Sequence, residues 1–257
     1  HLMLDMHIHL TGHEDRLATA ENIRLFLDQA RKMGLKQIGF ADHDYYFQNI
    51  DLYLIRRVAE EYPDLKVSIG IEVDYRPEDE GKIKELLNQF PFDFVIGSVH
   101  DIKGWIFDIP EEKENYHRQD PDKMYQEYFA VVELAAASGL FTTIGHFDLI
   151  KLFGARPRQD ILVLAEKALD SIQKNGLVME LNTAGRYKPV EEFYPENKII
   201  QEIGRRGIPM TLGSDAHAVE HVGRDISEAL QLVKDFGVKE LVGFKQRQKE
   251  YYYLSAL

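Results

Sequence analysis

Seven short apolar runs alternate with amphipathic stretches along this chain, and that alternation leaves few folds open. The runs lie near 2–8, 36–41, 67–73, 92–99, 141–146, 177–181 and 208–213. Each is short, rich in branched or aromatic residues and closed by polar ones, as buried strands are. Between them apolar residues recur at helical spacing, over roughly 19–33, 51–61, 78–90, 121–138, 158–174, 196–206 and 224–236. Thr19-Ala20-Glu21-Asn22 and Asp120-Pro121-Asp122 have the chemistry of helix starts, and Gly34, Gly139, Gly176 and Gly207 sit where helices should stop. Strands separated by helices must run parallel, with right-handed crossovers. No Pro/Ser/Gly-rich linker divides the series, so a single domain over 1–257 is expected. That length suits an α/β barrel, which takes about 250 residues.

The strand ends narrow the choice further. Asp5-Met6-His7-Ile8-His9, Ala41-Asp42-His43-Asp44, Gly97-Ser98-Val99-His100, Ile144-Gly145-His146 and Gly213-Ser214-Asp215-Ala216-His217 place six of the ten histidines directly after apolar runs. Glu72 ends another run. A barrel gathers the ends of all its strands at one mouth, whereas an open sheet brings together only those beside its switch point. A closed or nearly closed barrel is therefore expected. His7 and His9 are two residues apart on a strand and face the same way, and Asp215 and His217 repeat that spacing. The chain has no cysteine, so a bound metal must take nitrogen and oxygen ligands. One ion takes about four such ligands if zinc and about six if octahedral manganese or iron. The residues exceed that, so two or three divalent ions are expected, with Zn, Mn and Fe all compatible.

In this order the motifs resemble those of the polymerase and histidinol phosphatase (PHP) superfamily, from the first strand to about residue 230. The resemblance implies an α/β fold, a distorted (β/α)7 TIM-like barrel, with a trinuclear metal centre. Carried onto this chain, it implies His7, His9, Glu72 and Asp215 around one metal. Glu72 would be shared with a second, held also by His100 and His146. A third would take His43, His217 and a residue of the loop after His9. That last position is open between two candidates. Gly12-His13 resembles the histidinol-phosphatase form and Asp15–Thr19 the aspartate form, so both His13 and Asp15 stand.

Clustered divalent ions hold phosphate oxygens, neutralise their charge and generate hydroxide near neutral pH. The expected reaction is hydrolysis of a phosphate monoester by in-line attack of a metal-bridging hydroxide, with inorganic phosphate as a product. Glu180-Leu181-Asn182-Thr183-Ala184-Gly185-Arg186-Tyr187-Lys188-Pro189, followed by Tyr194-Pro195, resembles the histidinol-phosphatase signature within the superfamily. It implies L-histidinol phosphate as substrate and a place in histidine biosynthesis. Arg186, Lys188, Arg156 and Arg158 are candidate phosphate partners. Asp101, beside His100, is a candidate leaving-group acid, and the irregular stretch 101–120 is either a lid or a solvated loop. The alternatives are another small phosphate, such as a nucleotide or sugar phosphate, and a non-catalytic metal-binding domain. A net charge of −12 disfavours a nucleic-acid partner. No apolar run approaches the roughly 20 residues needed to span a bilayer, and no basic-then-apolar leader opens the chain. A cytoplasmic enzyme is expected, with neither membrane nor nucleic-acid partner; the oligomeric state is not readable from these features.

Overall fold

The structure, a computed structural model, describes residues 2–254. Strands β1 (Leu4–Ile8), β2 (Gln37–Phe40), β3 (Lys66–Asp74) and β4 (Phe94–Ser98) alternate with helices α1 (Ala20–Lys32), α2 (Leu52–Ala59) and α3 (Glu80–Leu87). A small antiparallel hairpin follows, β5 (Asp101–Ile102) and β6 (Trp105–Ile106), then a run of 3-10 turns over Pro110–Arg118 and helix α4 (Pro121–Ala137). The alternation resumes with β7 (Thr143–Ile144), α5 (Ile161–Lys174), β8 (Val178–Asn182), α6 (Asn197–Arg206), β9 (Met210–Gly213) and α7 (Ile226–Asp235). A second hairpin ends it, β10 (Glu240–Lys245) and β11 (Gln248–Tyr253).

The sheet order is β1-β2-β3-β4-β7-β8-β9-β10-β11, and every pairing from β1 to β9 is parallel. Strands β1, β2, β4, β8 and β9 are buried at every residue, because helices cover one face and opposite strands fill the other. A parallel bridge between Ile8 and Ala216, with the His9 amide donating to the Ala216 carbonyl at 2.8 Å, brings the end of β9 back to β1. The sheet therefore curls on itself at its C-terminal mouth. This is the seven-unit barrel expected from the alternation, with the helices where the periodicity placed them.

Local chemistry accounts for the helix limits. The Thr19 hydroxyl accepts from the Asn22 amide at the start of α1, and the Asp120 carboxylate accepts from the Lys123 amide, with Pro121 in the first turn of α4. Such caps contribute about 1 kcal/mol each. Gly207 ends α6 with φ of +72°, a left-handed conformation that a Cβ would strain.

The C-terminal hairpin was not legible from periodicity, and it closes the other end of the barrel. After one pairing with β9, Leu241 to Met210, β10 crosses the barrel floor. The Ser68 hydroxyl on β3 donates to the Phe244 carbonyl at 2.7 Å, and the Phe244 ring stacks 6.2 Å from that of Phe94. Asp93, just before β4, fixes the hairpin turn. Its carboxylate accepts from the Gln246 amide at 2.9 Å and the Ile69 amide at 2.8 Å, while its carbonyl accepts from the Arg247 amide at 2.7 Å. With its floor plugged, the barrel has one open end. Replacing Asp93 by alanine strands two amides that a buried carboxylate now satisfies, at about 1–3 kcal/mol each. Urea unfolding of Asp93→Ala is expected to show about 3 kcal/mol of lost stability; a loss below about 0.5 kcal/mol would contradict this role for the hairpin anchor.

Candidate metal centre

At the mouth, the strand ends deliver their ligand-type side chains to one place. His7 and His9 point inward from the end of β1, with Nε2 atoms 3.1 Å apart. The His7 Nε2 lies 3.2 Å from Glu72 Oε1 and 3.4 Å from Asp215 Oδ1; His9 Nε2 lies 3.3 and 3.0 Å from the same two atoms. A zinc ion with bonds of 2.0–2.1 Å has tetrahedral ligands about 3.3 Å apart. Five edges of the tetrahedron formed by these four atoms thus have the length a cation of that size requires. The buried Asp215 Oδ1 also lacks a hydrogen bond among the described residues, as an atom awaiting an ion would.

The other Glu72 oxygen serves a second group. Oε2 lies 3.0 Å from His146 Nε2 and 3.7 Å from His100 Nε2. A third group surrounds His43 and His217, whose Nε2 atoms are 3.5 Å apart, with His9 close to both. The His13 ring stacks on this pair, at 4.5 Å from His217 and 5.4 Å from His43 between centroids. Asp15 is not brought there: its carboxylate turns back to accept the His13 amide at 3.0 Å, closing its own loop. Of the two loop candidates, His13 is the one beside the cluster.

Buried acids behind the imidazoles set their direction. Glu180 Oε2 accepts from His7 Nδ1 at 2.5 Å, and its Oε1 accepts from the His146 amide at 2.8 Å and the Asn182 side-chain amide at 2.9 Å. Asp74 pairs with His100 Nδ1. Both contacts leave Nε2 facing the cluster, an arrangement typical of histidines that hold metals. Asp5 accepts from the Ser214 and Gly223 amides at 2.9 and 2.8 Å and so fixes the loop carrying Asp215. Asp42 does the same for the loop after His9, accepting from the Leu10 and Thr11 amides. Asp215 itself has φ of +55° and His146 of +21°, strained settings that this network holds.

The charges divide the site in two. Burial disfavours a charged His9, but the Asp215 and Glu72 carboxylates overcome it and raise the ring to about 9. His7 goes well above the usual imidazole range for the same reason, with Glu180 adding to the pull. Burial also opposes ionised Glu72, yet the surrounding imidazoles hold it well below the carboxylate range. His43 and His217 move the other way, to about 2 and about 4, through burial and the nearby His9 charge. Their rings are neutral and ready to donate a lone pair at pH 7.

A cleft of about 310 Å³ opens above the cluster. His13, His43, Glu72, His100, His146, Asp215 and His217 line its floor, with Lys188 and Tyr194 among the other residues at its walls. Asp108, Ile109 and Pro110 of the 101–120 segment also line it, so that segment partly covers the site. Trp105 does not; it packs on Phe107 and Tyr116 and donates to Glu112 at 3.0 Å, anchoring the segment instead. A larger hollow of about 700 Å³ near Phe90 and Arg247 has neither histidine nor carboxylate in its lining.

Four expected polar partners lie elsewhere. Arg186 pairs with Glu228 and with Asp225 at 3.4 Å, its guanidinium over the Phe193 ring. Arg156 is held by Glu192 and by Glu196 at 3.1 Å, and exposed Arg158 by Asp120 at 3.2 Å. Asp101 accepts from the Gly104 amide at 2.8 Å, capping the β5–β6 turn. Each is engaged by a nearer partner, so of the basic candidates only Lys188 reaches the cleft. Conversely, Glu180, Asp74 and Asp108 were not singled out from the sequence. Glu180 carried a signal, an acid inside an apolar strand; Asp74 and Asp108 sit among many acidic residues and carried none.

Residues 5–184 match the family model described as PHP domain, and residues 196–228 the one described as PHP-associated. A probable histidinol-phosphatase of Deinococcus radiodurans is 36% identical over 264 residues, covering 96% of this chain and 98% of that protein. The histidinol-phosphatase of Lactococcus lactis subsp. lactis is 29% identical over 262 residues, covering 94% of each. Among solved structures, the histidinol phosphate phosphatase of Lactococcus lactis, complexed with zinc, L-histidinol and phosphate, superposes with a TM-score of 0.72 at 23% identity. It covers 96% of this chain and 98% of that one, a likeness of fold.

Two outcomes follow from the geometry. Asp215 and Glu72 hold the His9 ring up at about 9 against burial, so it is protonated at pH 7 and an incoming ion must displace that proton. Titrating chelator-treated protein with Zn²⁺ in weak buffer at pH 7 is expected to acidify the solution by at least about one proton per chain. An unchanged pH would contradict the assignment. Glu180→Gln is expected to weaken metal binding about 10- to 100-fold, measured by competition with a chromogenic chelator; wild-type affinity would show that Glu180 does not set the His7 ring.

Proposed function

The chain belongs to the PHP domain family, and from that premise we propose that it is a metal-dependent histidinol-phosphatase, converting L-histidinol phosphate and water to L-histidinol and inorganic phosphate. One observation carries the reading: Glu72 presents separate oxygens to two groups of imidazoles beneath a cleft, within a chain 36% identical to a named histidinol-phosphatase over nearly its whole length. In this reading the chain, 1–257, forms one catalytic domain, acting on a small phosphorylated substrate in histidine biosynthesis in the cytoplasm. Among the described residues no helix is long and apolar enough to cross a membrane.

We assign His7, His9, Glu72 and Asp215 to one ion, Glu72, His100 and His146 to a second, and His43, His217 and His13 to a third. Zn, Mn and Fe all suit this donor set. Bound divalent ions supply positive charge for the phosphate and acidify water to near-neutral pH. The protein's own contribution is position. Glu180 and Asp74 hold the imidazoles with Nε2 toward the cleft, so no reorganisation is needed when charge develops on the phosphate. Lys188 at the rim adds a cation for a phosphate oxygen. Ile109, Pro110, Leu149 and Leu152 give an apolar wall that keeps bulk water from the reacting ester. In the reaction a P–O bond to water forms, the P–O ester bond breaks, and the leaving alkoxide takes a proton.

Release of inorganic phosphate from a panel of monoesters tests this directly. The kcat/KM for L-histidinol phosphate is expected to exceed that for sugar phosphates and nucleoside monophosphates at least about 100-fold, the discrimination that two or more specific polar contacts provide. Equal rates across the panel would leave a general phosphoesterase.

A further inference from the structure

Histidinol phosphate is unusual among small phosphates in carrying an ammonium group on the carbon next to the one bearing the ester oxygen. A site that selects it needs an anion beside the phosphate position. Three carboxylates line the cleft: Glu72, Asp215 and Asp108. The first two are committed to the imidazole cluster, each facing both His7 and His9. Asp108 is not. It makes no hydrogen bond among the described residues, and its one close cationic group is the His100 ring, with Oδ2 4.0 Å from Nε2.

Its position is fixed by its neighbours. Phe107 on one side is fully buried, its ring edge-on to Tyr128 at 5.8 Å, and its carbonyl accepts the Tyr116 hydroxyl at 3.0 Å. On the other side Ile109 and Pro110 turn into the 3-10 segment and line the same cleft. The cleft is thus polarised: imidazoles and carboxylates on its floor, an apolar wall, Lys188 at one part of the rim and the Asp108 carboxylate, with no hydrogen bond of its own among the described residues, at another. That is the complement of a molecule with one anionic end, a planar ring and a cationic group between them.

The geometry points to Asp108 as the residue that binds the substrate's ammonium group and so sets the choice of an amino-alcohol phosphate over other monoesters. This rests on the proposed histidinol-phosphatase activity. An ion pair formed in a partly desolvated cleft is worth tenfold to a hundredfold in binding. An uncharged amide at the same place keeps the shape and loses that attraction.

The test compares two substrates that share a leaving group of the same kind: L-histidinol phosphate and its deamino analogue, 3-(imidazol-4-yl)propyl phosphate. The wild-type enzyme is expected to prefer the amine-bearing substrate, mainly through KM. In Asp108→Asn the ratio of kcat/KM values falls roughly tenfold to a hundredfold toward one, and Asp108→Glu recovers part of it. If both substrates lose activity by the same factor, Asp108 serves the chemical step or the loop and the assignment is overturned. If the ratio is intact, the amine is bound elsewhere and the assignment is equally overturned. Melting temperature and metal content report whether the variants fold and load. A measurement on the wild-type protein alone also decides the point: L-histidinol must inhibit at least about tenfold more tightly than 3-(imidazol-4-yl)propan-1-ol, and equal inhibition contradicts an ammonium site. A wild-type enzyme with no preference for histidinol phosphate over unrelated monoesters would instead sink the proposed function, a result distinguishable from either of these.

Discussion

Glu72 stands at the junction of everything built at the barrel mouth. Its Oε1 faces His7, His9 and His43, at 3.2, 3.3 and 3.4 Å, and its Oε2 faces His146 at 3.0 Å. The backbone places it there: the Glu72 amide donates to the Asp42 carbonyl at 2.9 Å, pairing the end of β3 with the residues just beyond β2. A carboxylate in that position is costly to bury alone and gains only if cations surround it. Each group of imidazoles therefore depends on it, and it depends on them. The curl of the barrel makes the arrangement possible, since side chains from β1, β3, β4, β7 and β9 meet only where β9 comes back to β1.

The surrounding acids show how such a cluster is kept in order without filling the cleft. Glu180 lies buried beneath His7 and also receives the His146 amide, so a single side chain ties β8 to two ligand strands. Asp74 orients His100 from the end of β3, and Asp5 and Asp42 fix the loops through backbone amides. Burial and charge together account for the pKa pattern: at His7 and His9 the carboxylates overcome burial and the rings rise, while His43 and His217 fall through burial and the nearby His9 charge. Divalent ions would relieve both halves of that imbalance, replacing protons on the first pair and using free lone pairs on the second. Opposite the mouth, the β10–β11 hairpin packs over the floor and is anchored there through Asp93.

The parallel strands and their helices were legible because a strand buried on both faces reads as an apolar run, while Thr19, Asp120 and the terminal glycines mark helix ends in single residues. The cluster of histidines and carboxylates was legible for a related reason: histidines at strand ends have few structural excuses when they recur in series. The floor hairpin was missed because its turn, Gln246-Arg247, takes φ of +51° and +60° without the Asn-Gly or Asp-Gly pair that usually announces it. Polar partners were harder still. Arg186, Arg156 and Arg158 sit in loops after barrel strands, where a phosphate partner belongs, yet each is captured by a carboxylate from a neighbouring element that no local pattern reveals. Asp108 enters the cleft only because Phe107 and Tyr116 pin its segment, a tertiary fact with no signature in spacing.

Diffraction at metal absorption edges from crystals of the metal-loaded protein tests the central claim most directly. The account predicts anomalous peaks on both sides of the Glu72 carboxylate, one within about 2.0–2.2 Å of Oε1, His7, His9 and Asp215, the other similarly close to Oε2, His100 and His146. A single ion at this carboxylate, or ions that leave Glu72 uncoordinated, would contradict it.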